Sequence, residues 1–251
     1  GTSGLIRGVA AGDYDNDGWT DLYVSRLGQE NLLYRNEGRA TTGGRGWAFS
    51  EVGRAAGVAQ PLFSFPCWFW DHDNDGWLDL FVSGYTLDFS PATLEELVKD
   101  MLGQPCKVDT PRLYRNNHDG TFRDVTAEAG LKRVVYAMGA NYGDLDNDGW
   151  LDFYAGTGDP NLTTLVPNRM FRNDQGRRFL DVTTAGGFGH LQKGHGVAFG
   201  DLDGDGAQEV VINIGGAARG DNFLDAIFKN PGSGNRWLKL SLEGTRTNRA
   251  A

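Results

Sequence analysis

The sequence predicts an all-β fold assembled from four copies of a four-stranded unit, with one helical insertion in the second copy. Three observations carry this. An acidic motif, acid-x-acid-x-Asp-Gly-x-x-acid, occurs four times, starting at Asp13, Asp71, Asp144 and Asp201. Each copy runs directly into a short β-type segment: DLYVS, DLFVS, DFYAG and EVVIN. A hairpin signature then follows: LLYRNEG at 32, RLYRNNHDG at 112, RMFRNDQG at 169 and AIFKNPGSG at 226.

The elements of each unit follow in order. Strand A precedes the acidic loop, as LIRGVAA, SFPCWFW, AMGANYG and GVAFG. Strand B follows the loop. Strand C carries the hairpin signature, which ends in an Asn/Asp/Gly turn. Strand D is led by an aromatic: FSEV at Phe49, FRDVT at Phe122, FLDVT at Phe179 and WLKLSL at Trp237. With loops starting at 13, 71, 144 and 201, the period is close to 60 residues. Four-stranded units at that period read as β-propeller blades, which stack because one blade cannot bury both its faces. The expected units are 1–59, 60–131, 132–188 and 189–232, with a last strand and a further segment over 233–251. Four blades can close a ring, and so can seven.

The second unit is longer, and the excess lies between strands B and C, over 88–110. Ser90 reads as an N-cap, Pro91 as a first-turn residue and Gly103 as the stop. Leu94, Leu97, Val98, Met101 and Leu102 follow helical spacing, which predicts an amphipathic helix packed on the blade by that stripe.

The 251 residues suffice for a substantial core, and 37 glycines suit many turns. No apolar run reaches the ~18 residues of a membrane span. The net charge of −9 is a property of the loops, which hold 16 of the 33 acids; the remaining 17 acids face 24 Lys and Arg. The acidity therefore gives no sign of a basic partner, and no Lys/Arg stripe points to nucleic acid. The chain begins at Gly1 without a signal-peptide pattern and reads as a mature or excised piece. Cys67 and Cys106 share the second unit and are expected close together, either as a disulfide or as two thiols.

So many acids in one turn demand a counter-charge. Two carboxylates about 4 Å apart repel by roughly 4 kcal/mol at an effective dielectric of ~20. A bound cation relieves this, and hard oxygen ligands select Ca²⁺ or Mg²⁺. Positions 1, 3, 5 and 9 supply side chains and position 7 a main-chain carbonyl. The expected ligand sets are Asp13, Asp15, Asp17, Trp19 and Asp21; Asp71, Asp73, Asp75, Trp77 and Asp79; Asp144, Asp146, Asp148, Trp150 and Asp152; and Asp201, Asp203, Asp205, Ala207 and Glu209. Five oxygens, six if position 9 is bidentate, with a water besides, suit calcium, so up to four Ca²⁺ are expected. An EF-hand requires a bidentate Glu at position 12. Position 12 here is Val24, Val82, Ala155 and Ile212, all within strand B, which excludes it. The tryptophan rings at position 7 are expected to cover the loops. Loop 4, with Gly204, Ala207 and Glu209 at variant positions, is expected to bind weakest.

At this level the loops and LYRNNHDGTFRDVT resemble FG-GAP/VCBS repeats, the blades of integrin-α-type β-propellers. The tail NRWLKLSLEGTRTNRAA and the stretch GFGHLQKGHGVAFGDLDGDG resemble the ASPIC/UnbV, cartilage-acidic-protein-like family. The resemblance implies a piece of a larger, seven-blade-type propeller. It further implies calcium-stabilised, exported, extracellular or periplasmic, non-catalytic modules for adhesion or for binding a protein or glycan.

No GxSxG, phosphate-loop or HExxH motif occurs, and no enzyme activity is expected. The alternative is a calcium-stabilised scaffold of a carbohydrate-active enzyme such as a polysaccharide lyase, for which His190, Lys193 and His195 are the one thin cluster. His72 and His118 read as solvated. The RGD at Arg219 to Asp221 reads as a chance tripeptide, and Asn161-Leu162-Thr163 as a sequon only in a glycosylating cell. Strand alternation places the A–B loops on one face and the long connectors on the other. Any ligand is expected on that second face, at Asp159, Asn161, His190, Lys193 and His195.

Overall fold

The computed structural model describes residues 4–39, 46–86, 92–158, 166–216, 219–221 and 223–238. It contains four antiparallel sheets. The first holds β1 (Leu5–Gly12), β2 (Asp21–Leu27), β3 (Leu32–Arg39) and β4 (Trp47–Glu51), paired in that order. The second holds β5 (Ser64–Trp70), β6 (Asp79–Gly84), β7 (Arg112–Asn116) and β8 (Phe122–Asp124). The third holds β9 (Ala137–Gly143), β10 (Asp152–Thr157), β11 (Arg169–Asn173) and β12 (Phe179–Asp181). The fourth has three strands among the described residues: β13 (Gly194–Gly200), β14 (Glu209–Ile214) and β15 (Ala226–Phe228).

The sheets stack because strand B is apolar on both sides. Successive side chains of a strand point to opposite faces. In β6, Leu80 and Val82 join Tyr23, Leu33 and Val58 of the first unit. Phe81, between them, joins Phe153 and Phe171 of the third. In β10, Tyr154 in turn joins Val210 and Ile212 of the fourth. Main-chain bonds reinforce each step: Phe122 N–H donates to the Ala56 carbonyl at 2.9 Å, and Phe179 N–H to Ala129 at 2.8 Å.

The innermost strands β1, β5, β9 and β13 pack against one another in chain order. No contact of comparable extent joins β13 to β1 among the described residues, so the four units form an open series. Approach along this inner line is close. A Cβ on Gly139 of β9 would lie 1.5 Å from the His195 carbonyl oxygen of β13, so only glycine fits there.

The helix α1 (Ala92–Met101) forms within the expected insert. It joins β6 to β7 and so lies at the end of the blade opposite the acidic loop. Gly103 stops it with φ +68°, and Gln104 N–H returns to the Lys99 carbonyl at 2.8 Å. The expected Ser90 cap and Pro91 lie outside the described residues. The stripe behaves differently from expectation. Leu97 alone is buried, beside Val134, Tyr136 and Val166, while Leu94, Val98, Met101 and Leu102 are exposed. Glu96 accepts from Lys107 N–H, tying the helix to the segment that follows it, and from Lys99 on the helix itself.

Of the expected last strand from Trp237, all residues after 238 lie outside the described residues. Among the described residues 229–238 run without regular structure, and the indole lies over Gly206, where a Cβ would come within 2.0 Å of it. Cys67 and Cys106 are both free thiols, packed with different core clusters.

Phe153 touches Trp68, Trp70, Phe81, Phe171 and Phe179 and is 1% exposed. Phe153→Ala should cost about 3–5 kcal/mol by urea denaturation, with the second and third units weakened together.

Candidate metal centre

Each acidic loop folds around its own side chains. In loop 1, Asp13 Oδ1 accepts from Asp17 N–H (3.1 Å) and Oδ2 from Gly18 N–H (2.9 Å), while Asp17 Oδ1 accepts from Trp19 N–H (2.8 Å). Loops 2 and 3 repeat these bonds with Asp71 and Asp75, and with Asp144 and Asp148. The turn requires left-handed backbone at position 4, where Asn16, Asn74 and Asn147 sit at φ 56, 54 and 55°. Loop 4 differs: Asp201 Oδ1 accepts from Gly204 N–H, one residue earlier, at 2.7 Å.

Position 9 is buried and acts as a tie. Asp21 accepts from Tyr14 N–H (3.1 Å) on one oxygen and Asn36 N–H (2.8 Å) on the other. Asp79 accepts likewise from His72 and Asn116, Asp152 from Leu145 and Asn173, and Glu209 from Leu202 and Asn230. The carboxylate thus clamps loop to strand C, and both its oxygens already accept main-chain N–H groups. Burial raises Asp21 to about 6 and Asp152 to about 7.

Position 3 is the opposite case. Oδ1 of Asp15, of Asp73 and of Asp146 is buried with no hydrogen-bond partner. Burial raises all three carboxyls above the ordinary range. One oxygen from each of three acids converges within 4.8 Å in every loop: Asp13, Asp15 and Asp17; Asp71, Asp73 and Asp75; Asp144, Asp146 and Asp152; Asp201, Asp203 and Glu209. A buried acceptor without a donor is costly. Hard oxygens facing one point suit a hard cation.

The strand C signature carries more than a hairpin. Its cation reaches the loop: Arg115 Nη2 lies 2.7 Å from Asp73, Arg172 Nη1 3.4 Å from Asp146, and Lys229 Nζ 2.8 Å from Asp203. Arg35 pairs instead with Glu37 at 2.7 Å. The following Asn36, Asn116, Asn173 and Asn230 each donate to the position-8 carbonyl of their own loop. The recurring YRN, FRN and FKN were the available signal, hidden inside a pattern that also marks a turn.

Trp19 lies against Gly38 and Trp47, Trp77 stacks on His118, and Trp150 meets Gly176. The rings therefore rest on their own C–D hairpins. His72, expected in solvent, is 3% exposed: its ring packs beside Trp70 and Phe179, and Nδ1 hydrogen-bonds Asp79. His118 is exposed, with Nε2 3.0 Å from Asp75 Oδ2.

On the far face, Asp159 and Asn161 lie outside the described residues. The other three expected contacts are engaged. Lys193 is buried and pairs with Asp221 at 2.6 Å, His195 Nε2 lies 2.6 Å from the Gly215 carbonyl, and His190 Nδ1 accepts from Gln192 N–H. The same pair buries the Asp of the RGD tripeptide.

Residues 71–155 match the family model of the FG-GAP-like repeat. The matched stretch runs from the first acid of loop 2 to position 12 of loop 3, and so takes in two of the acidic loops. No curated protein matches the chain. The FG-GAP-like repeat suits the blade-like sheets.

The two roles within a loop separate by mutation. Asp152→Ala should destabilise the chain even in excess chelator, by about 1–3 kcal/mol for each orphaned main-chain donor. Asp146→Asn should leave the chelator-treated melting temperature unchanged or higher, because it removes a buried charge.

The raised pKa values set a pH slope. A carboxyl raised in the folded state stabilises it below the unfolded value, near 3.8, and that contribution is lost as pH rises through the folded value. In chelator, the contribution of Asp21 and Asp152 should fall between about pH 4 and pH 7. Calorimetric melting across that range, compared with Asp152→Asn, checks it.

Proposed function

We propose that this chain is a calcium-stabilised, non-catalytic binding module built of FG-GAP-like repeats, with up to four Ca²⁺ in its acidic loops. The observation that carries it is the same orphaned oxygen, position 3 Oδ1, in three successive loops. A cation at the convergence point would supply its missing partner and offset the carboxylate repulsion. Position 1 shares that point in every loop, joined by position 5 in loops 1 and 2 and by position 9 in loops 3 and 4. Calcium suits the set better than magnesium, which keeps several waters and demands rigid octahedral geometry.

A binding role is favoured over a lyase scaffold by the condition of the far face. Lys193 and His195 are held by Asp221 and the Gly215 carbonyl, which leaves no free acid–base pair among that trio. An exported setting, adhesion to a protein or glycan, and an ASPIC/UnbV segment from 233 onward follow from sequence resemblance and belong to the same proposal.

Calorimetric titration of the chelator-stripped chain should show saturable calcium uptake, with the fourth loop weakest. Calcium should raise the melting temperature, since a ligand bound only by the folded state stabilises it by mass action. Absence of saturable heat, together with a melting curve indifferent to calcium, would refute the proposal.

A further inference from the structure

The acidic loops are joined to one another. At position 4, the Asn16 side-chain amide donates to the Gly76 carbonyl at 3.4 Å, Asn74 to Gly149 at 2.9 Å, and Asn147 to Gly206 at 2.8 Å. The acceptor is each time the position-6 carbonyl of the next loop. The N–H of that same peptide unit, at position 7, is held by the loop's own position-5 acid: Trp77 by Asp75, Trp150 by Asp148, and Ala207 by Asp205. The 6–7 peptide is therefore pinned at both ends, once by its own loop and once by the preceding one. Its orientation sets the φ of residue 7, whose carbonyl is the expected main-chain ligand.

A second amide runs the other way. Asn116, Asn173 and Asn230 donate back to the position-2 carbonyls of the preceding loops, Tyr14, His72 and Leu145, at 2.8, 2.8 and 2.7 Å. Each of these amides also holds position 8 of its own loop. Position 4 is Gly204 in loop 4, which has no side-chain donor there.

We propose that Asn16, Asn74 and Asn147 are positioning residues that couple calcium binding between successive loops. The inference rests on the reading that the loops bind calcium. Repulsion among its acids works against the position-4 turn of an empty loop. A filled loop fixes that turn, fixes the asparagine, and so presets the 6–7 peptide of the next loop. Linkage makes the effect mutual: each filled loop raises the affinity of its neighbour by the same factor. Asn is suited to this because it tolerates the left-handed backbone and carries a donor. Glycine tolerates the backbone and carries none.

The test isolates one pair. Calcium is titrated calorimetrically into the full chain carrying Asp15→Asn and Asp203→Asn, which leaves loops 2 and 3. Disabling loop 2 by Asp73→Asn should weaken loop 3 by roughly three- to tenfold, the range one hydrogen bond of ordinary net strength supplies. With Asn74→Gly also present, Asp73→Asn should leave loop 3 unchanged. Asn74→Asp, which keeps the backbone preference and removes the donor, should behave as Asn74→Gly and serves if the glycine variant folds poorly. Equal weakening of loop 3 with and without Asn74 would overturn the assignment, as would no weakening in either. Failure of the calcium reading is distinct: the parent chain would then show no saturable heat at all.

Discussion

The buried position-9 carboxylate is the interaction on which each blade depends. It accepts one main-chain N–H from the start of its acidic loop and one from the end of strand C. Without it, two buried donors in each unit would lack a partner, and loop and hairpin would lose their common anchor. It also begins strand B, whose apolar side chains alternate between the two neighbouring sheets. A single acid thus couples the turn, the strand and the stacking.

Around that anchor the loop divides its acids by task. Position 1 spends its oxygens on the turn and position 5 on the residue-7 amide. In loops 1 to 3, position 3 is left with a buried oxygen and nothing to accept from. The strand C cations soften the charge from outside: Arg115 and Arg172 reach their loops and remain partly exposed. The loops therefore fold as preformed cups of negative charge, each bonded to the next by side-chain amides.

Stacking buries the side chains that face a neighbouring sheet. Leu80 and Val82 are fully buried against residues of the first unit. The residues after β15 stay close to the loops: Ser233 and Asn235 donate to the Asp146 carbonyl, and Trp237 lies over Gly206.

The sequence by itself determined the repeat, the strand order and the acidic loops, because these are local: spacing, period-2 alternation and turn chemistry all lie within a few residues. It also located the helix, though not its mode of contact, since a helical stripe states which residues could be buried and not how much sheet is available. Only the tertiary structure decided which polar atoms find partners. His72 is buried by Phe179, which is 107 positions away in the chain, Lys193 meets Asp221, and Asn16, Asn74 and Asn147 reach the next loop. Each of these depends on how one blade sits against another or on how connectors fold back, and no local pattern encodes that distance.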